Sequence, residues 1–201
     1  MAEEKITIQA KDARIEGLLS MSGGEKGVVV SHPHPLYGGD MHNNVVKALT
    51  EAYFERGYST FRFNFRGVGS SGGRHDYGKG EQEDVLAAVK FLSSTGAQHM
   101  DIVGYSFGSW VNAMCMENLL LVQRMIMISP PVGMMDFSFL GYSPKIKMVI
   151  TGSSDHIAPP GLIREMLPKW NKEAELKVID GADHFYWGKE GELTAIIKAI
   201  I

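Results

Sequence analysis

The segment of this chain best suited to chemistry is Gly104-Tyr105-Ser106-Phe107-Gly108. A Gly-x-Ser-x-Gly run holds serine in a sharp turn with its hydroxyl projecting, and side chains at the glycine positions would crowd that turn. The pentapeptide also arises by chance in a chain with 23 glycines, so its setting decides. Residues 100–104 form a short β-prone run and residues 107–116 read as a helix, which puts Ser106 where a strand turns into a helix. Such a helix aims its first N–H groups at a developing oxyanion, and the Phe107 N–H is one expected donor.

A serine hydroxyl is a poor nucleophile until a histidine takes its proton and a carboxylate orients that histidine. Two histidines follow Ser106. His184 lies in Gly181-Ala182-Asp183-His184-Phe185, just after the last predicted strand, whereas His156 belongs to the preceding loop. Asp155 follows the predicted strand 146–151 in Gly152-Ser153-Ser154-Asp155. Ser106, Asp155 and His184 therefore fall in the order nucleophile, acid, base, each at a strand end. Asp136, in a linking segment, and Asp183, adjacent to the histidine itself, are weaker acids.

The loop Ser31-His32-Pro33-His34-Pro35-Leu36-Tyr37-Gly38-Gly39 follows the first parallel strand, where a second oxyanion donor is expected. Pro33 and Pro35 have no N–H to give, so Leu36 is the expected donor and His34 the alternative. His32, His34 and His42 lack the acidic or cysteine partners of a metal site, and His32 reads as a structural residue bonding its own loop. Gly67-Val68-Gly69-Ser70-Ser71-Gly72 formally fits a dinucleotide-binding motif, but no helix opens at its glycines and no strand-end acid follows. No cofactor is expected there. Arg66, just before it, is expected to anchor the loop through a buried ion pair.

Positioning these groups requires alternating strands and helices. Residues 5–9 and 14–21 alternate polar and apolar, as an antiparallel edge pair would. Residues 27–31, 59–64, 100–104, 124–128, 146–151 and 175–179 are short β-prone runs, several nearly continuous in apolar residues. Between them, 43–56, 81–94, 107–116, 159–167 and 191–200 read as helices. The expectation is an α/β fold, with an eight-stranded, mostly parallel sheet flanked by helices in a single domain over residues 1–201. Loops at the carboxyl ends of such strands are where active sites lie.

Composition narrows the partners. The chain has 201 residues, 44% hydrophobic and 21% charged, with a net charge of −3. That balance is globular and gives no electrostatic reason to expect nucleic acid or an anionic membrane surface. Cys115 is the single cysteine, so no intrachain disulfide forms. With no basic-then-apolar N-terminus and no run near the ~18 apolar residues of a membrane helix, a cytoplasmic protein is expected.

Taken together, Ser31–Gly39, the run Phe61-Arg62-Phe63-Asn64-Phe65-Arg66-Gly67-Val68-Gly69, Gly80-Glu81, Gly104–Gly108 and Ala182-Asp183-His184-Phe185 resemble a group of small bacterial α/β hydrolases. These are related to the dienelactone hydrolases and described as carboxylesterases. The resemblance spans residues 28–188 and implies an α/β-hydrolase fold, a Ser106-Asp155-His184 triad and no cofactor. Dienelactone hydrolases proper use cysteine as nucleophile where this chain has serine, which argues against a dienelactone substrate. The connection 129–145 is too short for a helical cap domain, so a shallow, open pocket is expected, walled by Tyr37, Phe107, Met134, Phe137 and Tyr186. The expected partner is a small acyl ester or thioester. A peptidase or amidase, an acyltransferase and a non-catalytic binding protein are the competing readings.

Overall fold

The computed structural model describes residues 1–201. Its strands are β1 (Glu4–Gln9), β2 (Arg14–Ser20), β3 (Lys26–Ser31), β4 (Ser59–Phe63), β5 (His99–Tyr105), β6 (Val122–Ile128), β7 (Ile146–Gly152) and β8 (Glu175–Ile179). They form one eight-stranded sheet in the order β1-β2-β4-β3-β5-β6-β7-β8. β1 pairs antiparallel with β2, and β2 antiparallel with β4. Every pairing from β4 through β8 is parallel. The edge pair expected from residues 5–21 is therefore present, and so is the α/β hydrolase architecture.

Five helices cover the sheet: α1 (Asn44–Glu55), α2 (Lys79–Ser94), α3 (Phe107–Met114), α4 (Pro160–Asn171) and α5 (Glu190–Ile200). The strand period of two sorts the core. Val28 and Val30 of β3 join a cluster with Val45, Leu49 and Leu193 of α1 and α5, while Val29 between them joins Val85, Val111 and Ile163 of α2, α3 and α4. Strands buried on both faces need apolar residues at successive positions, which is why these runs looked continuous in the sequence.

Local chemistry sets the helix ends. The Asn43 side chain accepts the Val45 N–H at 2.9 Å and starts α1. Glu81 accepts the Gly78 N–H at 2.8 Å and starts α2 two residues earlier than expected. α4 runs to Asn171, four residues past the expected end at 167, straight through Pro168. A proline there removes one helical hydrogen bond. Tertiary contacts outweigh that loss, because Trp170 packs in the core and Asn171 Nδ2 donates to the Ile146 carbonyl at 2.9 Å.

No helix lies between β6 and β7, in residues 129–145. No helix is long and apolar enough to cross a membrane.

Candidate active site

Ser106 stands between β5 and α3 with φ 53° and ψ −118°. A non-glycine residue in that region is strained by about 1–3 kcal/mol, and such strain persists only where surroundings enforce it. Here they do. The Ser106 N–H donates to Ile128 O at 2.8 Å, and its carbonyl accepts the Ser109 N–H at 2.9 Å. A Cβ at Gly104 would strike the Ser109 backbone, and one at Gly108 would lie 2.5 Å from Ser31 O, so both flanking positions require glycine. The turn is thus pressed between its own helix and the end of β3.

His184 and Asp155 converge on this serine. His184 Nε2 lies 2.9 Å from Ser106 Oγ, and His184 Nδ1 lies 2.9 and 3.0 Å from the two Asp155 oxygens. A proton on Nδ1, donated to the carboxylate, leaves the Nε2 lone pair facing the serine hydroxyl. Asp155 Oδ1 also accepts the Ile157 and Ala158 N–H groups at 2.9 and 2.7 Å. Burial pushes the Asp155 carboxyl up, but the His184 ring and the Ala158 N–H outweigh it and hold the group below its ordinary range. The Tyr105 hydroxyl donates to the His184 carbonyl at 2.7 Å, which fixes the base from the strand that carries the serine. The weaker acids are occupied elsewhere. Asp136 caps the Ser138 N–H, and Asp183 accepts the N–H groups of Phe185 and Tyr186. His156 is exposed.

The loop after β3 contains a short 3-10 turn, Pro35–Tyr37. The expected donor, the Leu36 N–H, is already engaged, since it donates to His34 Nδ1 at 3.2 Å. The Leu36 N–H is thus occupied in this structure, which leaves the alternative, His34, as the unengaged N–H of the loop. The His34 N–H has no hydrogen-bond partner, and neither does the Phe107 N–H at the start of α3. The His34 and Phe107 rings lie 4.7 Å apart, so the two free donors belong to neighbouring residues. His32 secures the loop from below. Its Nδ1 donates to Pro33 O at 2.6 Å, and its Nε2 accepts the Phe65 N–H at 2.9 Å. Burial lowers its pKa to about 4, which keeps the ring neutral.

Three of the five expected pocket walls are buried. Phe137 is 2% exposed and packs on Trp170, and Tyr186 is 0% exposed with its hydroxyl 2.7 Å from Ser129 Oγ. Phe107 is buried as well, beneath His34. Tyr37 (82% exposed) and Met134 (68%) do reach solvent, as do Phe185 and Trp187 (73%), which sequence reasoning passed over although both lie within three residues of the histidine. A cleft of about 380 Å³ opens beside the loop, lined by Pro35, Leu36, Arg74, His75 and Tyr77. His75 Nδ1 lies 2.8 Å from the buried Glu81 carboxylate, a pairing with no marker in the sequence.

Arg66 makes the expected buried ion pair, with Nη2 2.9 Å from Asp84 Oδ1. The glycine loop beyond it folds back on β2, where Glu16 Oε1 accepts the Ser70 N–H at 2.6 Å, and α2 starts only at Lys79. No three His, Cys, Asp or Glu side chains converge as a metal site needs. Cys115 is buried, and its thiol is pushed up to about 12 by that burial.

Known proteins share this fold. The alpha/beta hydrolase fold family matches residues 33–146. A protein of Rickettsia prowazekii (strain Madrid E), named uncharacterized protein RP471, is 33% identical over 206 residues that span 96% of this chain and 87% of that one. An alpha-beta serine hydrolase homologue from Coxiella burnetii superimposes with a TM-score of 0.90 at 32% identity, covering 99% of this chain and 97% of its own. XC6422 from Xanthomonas campestris, described as a serine hydrolase without lid, does so with a TM-score of 0.89 at 28% identity, covering 99% and 93%. With the elbow, the strand order and these likenesses together, the chain belongs to the alpha/beta hydrolase family.

Proposed function

We propose that this protein is a serine esterase that cleaves small carboxylic esters or thioesters through an acyl-enzyme on Ser106. The observation that carries the reading is the 2.9 Å contact from His184 Nε2 to Ser106 Oγ, with Asp155 on the opposite ring nitrogen. His184 takes the hydroxyl proton as Oγ attacks the carbonyl carbon, and Asp155 stabilises the imidazolium that forms. The oxyanion of the tetrahedral intermediate sits between the His34 and Phe107 N–H groups, neither of which has an acceptor in the structure. His184 then passes its proton to the leaving alcohol or thiol, and the acyl group stays on Ser106. Water, deprotonated by His184, releases the acid and restores the hydroxyl.

Substrate size follows from the walls. With no helix over the strand ends, an acyl chain meets only an open rim of Tyr37, Met134, Phe185 and Trp187. Such a rim covers a short acyl group and leaves a long one in water. The motif likeness to the dienelactone-hydrolase-related carboxylesterases supports the same class. The test is a panel of p-nitrophenyl esters of rising chain length, with a fluorophosphonate probe run alongside. Short esters are expected to turn over fastest, the probe to label Ser106, and Ser106→Ala to lose both, with kcat down by roughly 10⁴–10⁶. Turnover retained in Ser106→Ala, or a marked preference for long-chain triglycerides, would overturn the proposal.

A further inference from the structure

Four non-glycine residues in this protein have positive φ: Tyr77, Ser106, Ser129 and Tyr186. For a bulky residue this conformation is an outlier. Three of the four are buried, but Tyr77, with φ 51°, holds its side chain in solvent. Packing does not explain its backbone. Its neighbours do, because the Glu81 carboxylate accepts the Asp76 and Gly78 N–H groups, on either side of Tyr77, at 2.9 and 2.8 Å. Strain with no burial to offset it points to a use for the residue. The strained turn sets the Tyr77 ring 5.0 Å from that of His75.

Both residues line the cleft of about 380 Å³, together with Leu36, Arg66 and Arg74, and no carboxylate lines it. In a chain of net charge −3 that makes it a place of local positive charge. Arg66 is neutralised there, with Nη2 2.9 Å from Asp84 and 3.1 Å from Asp12. Arg74 makes no ion pair. Its backbone is nonetheless fixed. A Cβ at Gly67 would lie 3.0 Å from Arg74 Cα, and the Gly67 and Gly72 N–H groups donate to Gly72 O and Arg14 O at 3.0 and 2.7 Å. The cleft also adjoins the reacting centre. The His75 ring lies 5.0 Å from that of His34 and 5.6 Å from that of Phe107, the two residues whose N–H groups are the proposed oxyanion donors.

We propose that this cleft is a subsite for a second, ionised carboxyl group carried by the ester, and that Arg74 determines the preference for it. The inference rests on the proposed role of Ser106 and narrows its substrates to esters that bear a carboxylate. The guanidinium offers a carboxylate two parallel N–H donors, a fit that a lysine ammonium lacks. Leu36 and Tyr77 give the carbons between ester and carboxylate an apolar flank. The acids close by do not compete for Arg74. The Glu81 carboxylate is engaged by two N–H groups and lies 2.8 Å from His75 Nδ1, and Asp76 is exposed and outside the lining. Arg74 acts on which ester is held and has no part in the proton transfers at Ser106.

The experiment compares esters matched in size that differ by one charge, with urea unfolding of each variant. One pair carries the charge on the acyl side, mono-p-nitrophenyl adipate against p-nitrophenyl hexanoate. The other carries it on the leaving alcohol, m-carboxyphenyl acetate against m-carbamoylphenyl acetate. The quantity read is kcat/KM for the charged ester over the neutral one. In the wild type this ratio is expected to exceed about fivefold for one pair, which identifies the side of the ester that the cleft takes. Arg74→Gln should bring that ratio to about one, and Arg74→Lys should keep part of it. Added salt should lower the wild-type ratio and leave that of Arg74→Gln where it is. Tyr77→Gly relieves the φ and removes the wall, so KM for the favoured ester should rise. A wild-type ratio at or below one in both pairs overturns the inference, as does a ratio that survives Arg74→Gln. An unmoved KM in Tyr77→Gly places the charge outside the cleft and overturns it too. Ser106→Ala on the same esters keeps the outcomes apart. Residual turnover there removes the proposed function, whereas an inert Ser106→Ala beside a wild-type ratio of one removes only the role of Arg74.

Discussion

The acid–base centre and the rim around it are built on opposite terms. Ser106, Asp155 and His184 are buried, mounted at the ends of β5, β7 and β8, and each is held by backbone contacts as well as by its neighbours. Tyr37, Met134, Phe185 and Trp187, the rim of the proposed pocket, hold their side chains out into solvent instead. Proton transfer tolerates errors of only a few tenths of an ångström, so the chain spends strained backbone and buried polar groups on it. Contact with a short acyl group needs only apolar area. The proposed open rim is therefore expected to discriminate weakly, since a methylene is worth ~1–3 kcal/mol only inside an enclosing pocket.

The largest effect that could break this contrast lies in the donor loop. His34 has φ −60° and ψ 123°, which suits proline and also suits a residue that precedes Pro35. His34→Pro keeps the backbone path and deletes the unpaired N–H, so kcat on a short ester is expected to fall by about 10²–10³. His34→Ala keeps the N–H and should stay within about tenfold of wild type. Equal losses in the two would place the oxyanion donor elsewhere and dissolve the line between machinery and rim.

Acid sharpens the contrast through His32. In the unfolded chain this histidine takes up a proton below its ordinary 6.5, but in the folded chain only near 4. Between those values the unfolded state binds more protons, so stability is full above the upper one and falls as pH drops, by about 3 kcal/mol in total. His32→Gln should flatten this part of the profile, read by urea unfolding at several pH values. An unchanged slope would assign the acid sensitivity to another group. The smallest effect is expected at the rim, where Trp187→Ala should raise KM for apolar esters no more than about threefold and leave kcat alone. A large fall in kcat there would move Trp187 into the machinery.

Much of this site was legible in the sequence because its logic is one of chain order. The elbow glycines, the strand before Ser106 and the later positions of Asp155 and His184 are linear facts, and the sheet converts them into proximity. What stayed hidden depends on side-chain direction. Nothing in the string His-Pro-His-Pro-Leu reveals that His34 Nδ1 takes up the Leu36 N–H and leaves its own N–H free. Phe137, in the short connection 129–145, and Tyr186, two residues after the histidine, looked like pocket walls, yet both side chains are buried. α4 outran its expected end because the burial of Trp170 outweighs the proline that the sequence offers as a stop.

The bare connection between β6 and β7 also has a consequence in time. Enzymes that cover their substrates wait for the cover to open, and for many of them that wait sets the turnover. Residues 129–145 form no helix that would have to swing aside. Under the proposed mechanism the bond-making and bond-breaking steps, and not the opening of a helical cover, are therefore expected to set the pace.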